Sequence, residues 1–157
     1  MPPKLLIDLD SINLDNIEDD IEGIRRHNSQ RFEMEQLSGI IYYNEQDKIV
    51  VGYKDVTEDE FWVRGHIPGR PLMPGVIMCE AAAQLSSYYF MRSSGDNRFL
   101  GFGGLENVKF RGQVSPGRRL ILIAHNTDMR TRRAVFNTQG VVDGKMVFEA
   151  VIIGMPV

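Results

Sequence analysis

His66 and Glu80 are the two side chains best suited to chemistry in this sequence. A proline-punctuated stretch holds both: RGHIPGRPLMPGVIMCEAAAQ, residues 64–84. Histidine titrates near neutral pH and moves protons readily. Glu80 stands among Cys79, Ala81, Ala82 and Ala83, in a run that reads as an apolar helix. A carboxylate there is costly if buried and unpaired. Desolvation raises its pKa from about 4.3, which makes it a proton donor near neutral pH. Gln84 lies one turn later on the same face. Pro74 suits a helix start, so the N–H groups near Gly75 lack intrahelical partners and carry the positive end of the helix dipole. Gly75 has no side chain, so a carbonyl oxygen can come close. Each feature has a plainer reading: a structural histidine, a glutamate that reaches solvent or an arginine, an ordinary helix start. Together they favour an acid/base pair beside a carbonyl-binding amide.

Elements must position these groups. Pro68, Pro71 and Pro74 recur every three residues. Each fixes its own φ and disfavours helical geometry before it. The spacing predicts a stiff, extended Ile67–Met73, and His66 to Pro74 as polyproline II would span roughly 25 Å. Residues 74–92, rich in Ala, Leu and Met, predict a helix that is apolar on most faces and so buried in the middle of the protein. QLSGIIYYNEQDKIVVGYKDV, residues 36–56, reads as two strands joined by a turn at Asn44–Asp47. Residues 99–111, 119–127, 132–142 and 145–153 read as four more, with turns at Pro116-Gly117 and Asp143-Gly144. A buried helix wrapped by a curved antiparallel sheet, an α+β arrangement, satisfies this pattern.

Every charged residue from Asp8 to Glu22 is acidic. Ile17, Ile21 and Ile24 recur there at helical spacing, Asp15 and Glu18 resemble a capping box, and Arg25 and Arg26 suit a C-terminus. The pattern predicts an amphipathic helix over 15–27 with a solvated acidic face, in preference to an acidic partner-binding surface. Residues 1–30 form an acidic N-terminal extension of one domain spanning 1–157.

Composition narrows the function. The 157 residues carry a net charge of -3, unlike a general nucleic-acid binder. One cysteine excludes an intrachain disulfide and a cysteine-cluster metal site. His27, His66 and His125 show no paired metal-ligand spacing. The start, MPPKLLIDLD, reads neither as a signal peptide nor as a membrane span, so a cytoplasmic protein is expected.

The stretch from His66 to Gln84 resembles the active-site signature of the FabZ-type 3-hydroxyacyl-(acyl-carrier-protein) dehydratases, H-F-P-x-x-P-x-x-P-G-V-x-x-x-E-A-x-A-Q, with Ile67 for the usual Phe. Phe102–Arg111, Val114–Gly117 and Asp143-Gly144-Lys145 also resemble that family, and the likeness covers about 36–153. The resemblance implies a hotdog fold, at least dimeric and often a trimer of dimers, with active sites shared across the dimer interface. It implies loss of water from a 3-hydroxyacyl thioester carried on phosphopantetheine by acyl carrier protein, without a cofactor, metal, nucleic acid or membrane. By position, His66 takes the α-proton and Glu80 helps the hydroxyl leave. The Gly75 N–H, between Pro74 and Val76, holds the thioester carbonyl, and Gln84 orients Glu80 or a water. Ile67, Leu100 and Phe102 fall where the acyl tunnel and its gate are expected. The family's Pro-Phe-Leu-Leu-Val-Asp motif is replaced by SQRFEMEQ, residues 29–36, and its gate tyrosine by Leu100-Gly101. Both departures bear on chain-length preference. A hotdog thioesterase or hydratase, and a non-catalytic acyl-thioester binder, stay open as other readings. Arg111, Arg118, Arg119, Arg130, Arg132 and Arg133 offer a candidate docking patch for the acidic carrier, with solvated hairpin ends as the favoured, plainer reading.

Overall fold

The computed structural model describes residues 3–157. Six strands and one long helix carry the architecture: β1 (Gly39–Asn44), β2 (Ile49–Asp55), β3 (Leu100–Phe110), β4 (Arg119–Arg130), β5 (Arg133–Val142), β6 (Lys145–Pro156) and the helix α2 (Gly75–Ser94). A short helix, α1 (Ile21–His27), precedes them. The strands form one antiparallel sheet in the order β1-β2-β4-β5-β6-β3. Local chemistry sets its turns. Asp143 and Gly144 both take positive φ, 50° and 78°, which a tight two-residue hairpin requires. At the first hairpin the Asn44 side chain accepts from the Asp47 N–H at 2.9 Å.

Helix α2 lies across the concave face of the sheet, and the expected burial holds from Met78 to Phe90 on most of its faces. Ala81 and Ala82 are fully enclosed, and their small side chains let the sheet come close. The approach is close at Gly52, where a Cβ would stand 2.9 Å from the Leu85 Cδ1. Tyr88, Leu85, Phe136, Phe148 and Ile152 fill the core between helix and sheet. Gly95, at φ 64°, ends the helix in the left-handed conformation that glycine adopts without strain.

The acidic extension departs from its expected form. The helix starts at Ile21 rather than at 15, and Asp20 caps it by accepting from the Gly23 N–H at 2.9 Å. Glu18 and Asp19 instead bond to β1, with both N–H groups on the Ile40 carbonyl and the Ile40 N–H on Asp19. A sheet edge offers unpaired backbone groups, and here they outcompete a further helical turn. Ile24 is buried as the periodicity required, while Ile17 is 64% exposed.

Residues before it form a strap on the outer face of the sheet. Leu5, Leu6, Ile7, Leu9, Ile12 and Leu14 lie over Ile41, Ile49, Val51, Ile123 and Val141. The Gln139 side-chain amide anchors the strap, accepting from the Leu6 N–H at 2.8 Å and donating to the Lys4 carbonyl at 3.0 Å. The acids are largely used within the molecule: Asp19 accepts from the Tyr88 hydroxyl, and Arg92 of α2 bridges Tyr88 to Glu18.

A chain beginning at residue 15 uncovers that outer apolar face. Its Tm is expected to fall by at least about 5 °C, since several half-buried aliphatic side chains are lost. Light scattering should show concentration-dependent association. An unchanged Tm with monodisperse scattering would show that the strap is ornamental.

Candidate active site

The loop between β2 and α2 carries His66. Its first turn is closed by Glu60, whose carboxylate accepts from the N–H and hydroxyl of Thr57. The carbonyl of buried Trp62 then receives the Gly65 and His66 N–H groups at 3.2 and 2.8 Å. The expected extended rod over Ile67–Met73 is not present. Ile67 and Arg70 exchange backbone hydrogen bonds of 3.1 and 2.8 Å around Pro68-Gly69, and Gly69 has φ 78°. Proline followed by glycine at the two central positions is the chemistry of a type II turn, and it overrides the three-residue proline period. The turn folds the chain back, so the Leu72 N–H reaches the His66 carbonyl at 2.8 Å.

That return also fixes the imidazole. His66 is exposed, and its Nδ1 lies 2.8 Å from the Leu72 carbonyl. A carbonyl only accepts, so Nδ1 carries a proton, and in the neutral ring Nε2 is the nitrogen with the lone pair. The Met73 N–H bonds to the Val114 carbonyl at 2.8 Å and pins the loop just before α2.

Pro74 caps α2, and its carbonyl accepts from the Ile77 and Met78 N–H groups. The Gly75 and Val76 N–H groups, first in the helix, have no intrahelical acceptor. The expectation that Gly75 leaves room for a ligand is refined: a Cβ there would stand 2.7 Å from the Phe110 ring. Phe110 itself stacks on Phe148, with ring centroids 5.8 Å apart. Glycine is needed at 75 so that this aromatic wall can close on the helix start. His66, Gly75, Val76 and Phe110 line one cavity of about 350 Å³, and Val76 is 72% exposed at its mouth.

Glu80 faces elsewhere. It lines a second cavity, of about 190 Å³, with Leu100, Phe102, Gln84 and Gln30. Burial pushes its carboxyl above the ordinary carboxylate range, with the neighbouring Gln84 amide partly opposing. Leu100 and Phe102 thus share the Glu80 cavity, while half-exposed Ile67 sits in the turn next to His66 and outside this cavity. Gln84, besides its place beside Glu80, has a structural role. Its oxygen accepts from the Gln36 N–H at 2.9 Å, and its nitrogen donates to the Met34 carbonyl at 2.6 Å. The side chain is a strut between α2 and the segment 29–36.

The six arginines do not form one patch. Arg118 and Arg119 lie at one end of β4, and Arg130, Arg132 and Arg133 lie at the other, roughly 35 Å along an extended strand. Four are ion-paired: Arg111 with Glu149, Arg118 with Asp143, Arg119 with Asp55 and Arg130 with Asp128. Two residues of the site were missed from sequence. Arg70 reaches Gln113, which lines the His66 cavity, and it lay in plain view inside the proline signature. Gln30 lines the Glu80 cavity, and only its place in the unusual SQRFEMEQ stretch hinted at it.

A family model described as a FabA-like domain matches residues 28–151. A 3-hydroxyacyl-(acyl-carrier-protein) dehydratase FabZ of Listeria welshimeri is 39% identical over 109 residues, 69% of this chain and 76% of that protein. One from Clostridium botulinum is 38% identical over 107 residues, 68% and 74% of the two chains. Among solved structures, the dehydratase heterocomplex ApeI:P of Xenorhabdus doucetiae superposes with a TM-score of 0.73 at 14% identity, covering 85% of this chain and 90% of that one. Cj0977, a virulence protein of Campylobacter jejuni, gives 0.68 at 16%, covering 93% and 96%. Both structural likenesses bear on the fold alone, and the expected α+β hotdog arrangement is borne out.

The raised pKa of Glu80 has a sign that stability can reveal. The folded protein holds this proton more tightly than the unfolded chain does, so the contribution is full at low pH and is lost as pH rises through the carboxylate range. Glu80→Gln removes the ionisable group. The Tm of Glu80→Gln relative to wild type should be near zero difference at pH about 4 and increasingly positive towards pH about 8. A difference that is flat across this range would show that Glu80 is not held desolvated.

Proposed function

The chain belongs to the FabA-like family and, within it, to the FabZ-type dehydratases, and from that premise we propose that it removes water from 3-hydroxyacyl thioesters on acyl carrier protein to give trans-2-enoyl thioesters. The observation that carries this reading is a division of labour at the two cavities. One holds a histidine with a free Nε2 beside the unpaired N–H groups of a helix start; the other holds a desolvated carboxyl in an apolar wall.

The steps follow from these groups. Nε2 of His66 takes the proton from C2. The electron pair moves towards the thioester carbonyl, whose oxygen is stabilised by the Gly75 N–H and the helix dipole. As C2=C3 forms, the C3–O bond breaks and Glu80 delivers its proton to the departing hydroxyl, which leaves as water. The proton held by His66 then returns through solvent to Glu80. The chemistry calls for no cofactor, since side chains handle both protons and the thioester arrives on phosphopantetheine. Cytoplasmic location belongs to the same proposal, because the single, buried Cys79 suits a reducing compartment.

Within one chain His66 and Glu80 open into different cavities, so we place the complete site between two protomers. Support comes from β3, an edge strand that displays Phe102, Leu105 and Phe110 at 42–52% exposure. A long edge with exposed large side chains seeks a partner. Pairing there brings a second copy against both cavities, which β3 helps to line through Phe102 and Phe110.

His66→Ala and Glu80→Ala should each lower turnover of a carrier-bound 3-hydroxyacyl substrate by at least about 100-fold, the usual worth of a positioned acid or base. Mixed dimers of the two variants contain one intact pairing and should recover a substantial fraction of activity. Full activity in His66→Ala, or no product from wild type at any chain length, would end the dehydratase reading. Verified mixed dimers without recovery would end only the shared site.

Carrier docking is proposed at a smaller set of cations than the sequence suggested. Gly112 and Gln113 line both the His66 cavity and an adjoining groove of about 360 Å³ that holds Arg111 and Lys145. Arg70 joins this rim through Gln113, at 3.4 Å. Arg70→Glu combined with Lys145→Glu should raise KM several-fold for carrier-bound substrate, with an effect that shrinks at high salt. Turnover of a small thiol ester of the same acyl group should be unchanged. An equal change for both substrates would place the rim outside carrier recognition.

A further inference from the structure

The cavity behind Glu80 contains a polar group that the dehydration steps leave unused. The segment 28–36 delivers three side-chain oxygens into buried space without a hydrogen-bond donor: Asn28 Oδ1, Gln30 Oε1 and Gln36 Oε1. Two of these amides are held at their other end. Asn28 donates to the Gln84 carbonyl at 2.9 Å, and Gln36 donates to the Glu33 carbonyl at 3.0 Å. Gln30 differs. Arg31 reaches only its backbone carbonyl, at 2.7 Å, and among the described residues no hydrogen bond meets its side-chain amide. It is also the member of the three that lines the Glu80 cavity.

The rest of that wall is mostly apolar: Ala83, Leu100, Phe102, Ile152 and Ile153, with Ser87 as a small hydroxyl. The setting of Gln30 is secure, because the strut from Gln84 fixes the backbone at 34 and 36 and Asn28 fixes it on the other side. An alkyl chain entering such a space would strip water from the amide and return nothing to it. A hydroxyl both donates and accepts, so it satisfies either end of the amide. The cavity, of about 190 Å³, has room for a short chain. Glu80 meets the C3 oxygen in the same cavity, so the partner of Gln30 lies within a few carbons of C3.

On the reading of this site as a dehydratase, we infer that Gln30 is a specificity residue and that the favoured substrate is a short 3-hydroxyacyl thioester with a second hydroxyl further along the chain. The Gln30 amide pairs with that second hydroxyl while Glu80 protonates the first.

The experiment compares kcat/KM for matched thioesters, one plain 3-hydroxyacyl and a series with the second hydroxyl stepped along the chain, in wild type and Gln30→Leu. Wild type should favour one dihydroxy member over the plain chain by roughly tenfold or more, the discrimination expected of a half-buried amide that needs a partner. Gln30→Leu should lose that preference, raising kcat/KM for the plain chain and lowering it for the dihydroxy one. Gln30→Met, closer in shape, takes its place if leucine impairs folding. An equal substrate ratio in wild type and variant overturns the inference. So does an equal fall for both substrates, which would make Gln30 a support for Glu80 instead. Absence of turnover of every member by wild type would overturn the dehydratase reading. Gln30 is then still tested by calorimetric binding of unreactive thioesters that lack the C3 hydroxyl, with and without the distal one. A wild-type preference for the hydroxylated analogue that Gln30→Leu abolishes upholds the inference, and identical affinities overturn it.

Discussion

A helix enclosed on most sides can carry a carboxyl only where the sheet fails to close over it, and the rest of the molecule follows from that constraint. Helix α2 is buried from Met78 to Phe90 apart from Glu80 and Ala83, which are only partly covered. The gap at Glu80 is a mostly apolar, partly open cavity. Such a place penalises the ionised carboxyl without repaying it, because no arginine or lysine stands within ion-pair distance among the described residues. The cost is borne by a core that is otherwise closely filled. Tyr88, Leu85, Phe136 and Phe148 hold the helix in the sheet. At this rigid position the carboxyl holds its proton to higher pH than an exposed glutamate does, and it can release that proton to a leaving group.

The same helix organises its surroundings through a few buried polar ties. Gln84, one turn beyond Glu80, spends both ends of its amide on the backbone at 34 and 36. Replacing it with an apolar side chain would orphan a buried N–H and a carbonyl together, which is more damaging than the loss of one hydrogen bond. Near the end of α2, Tyr88 and Arg92 capture Asp19 and Glu18, so the acidic extension is stitched to the helix from the other side of β1. Arg92 also lies over the Tyr43 ring, 3.8 Å from its centroid. These ties bring SQRFEMEQ over the Glu80 cavity, so a segment far from Glu80 in sequence helps to wall it.

Much of this was legible because several local signals agreed. Alternating β-branched runs, the Asp143-Gly144 turn and the apolar run after Pro74 each named one element, and the structure contains them close to the expected bounds. The failures share a cause: local patterns that a different partner overrode. The proline period suggested a rod, but Pro68-Gly69 needed only its own two residues to make a turn. Ile17 kept helical spacing with Ile21, but the free edge of β1 captured Glu18 and Asp19 first. The arginines looked clustered in sequence, yet a long strand separates its two ends, and carboxylates absorb most of the charge. The strap was illegible because its aliphatic residues follow neither a helical nor a strand period; their order makes sense only once the outer face of the sheet exists.

His66 and Glu80 illustrate how far a gapless motif can be from a finished site. Fourteen positions apart in sequence, they are directed apart by the structure between them: the turn at 67–70 returns His66 to the helix start, and α2 then carries Glu80 into the fold. The helix supplies rigidity to both, yet it faces them into separate cavities. A thioester whose C2 and C3 are adjacent carbons needs its base and acid only a few ångströms apart. On the proposed reading, a single chain leaves that juxtaposition to a second protomer. Its unpaired edge, β3, reaches along both cavities and leaves Phe102 beside one and Phe110 beside the other. This edge strand therefore runs between the two cavities. On the proposed reading of a site shared between protomers, pairing this edge with a second copy would also complete the chemistry.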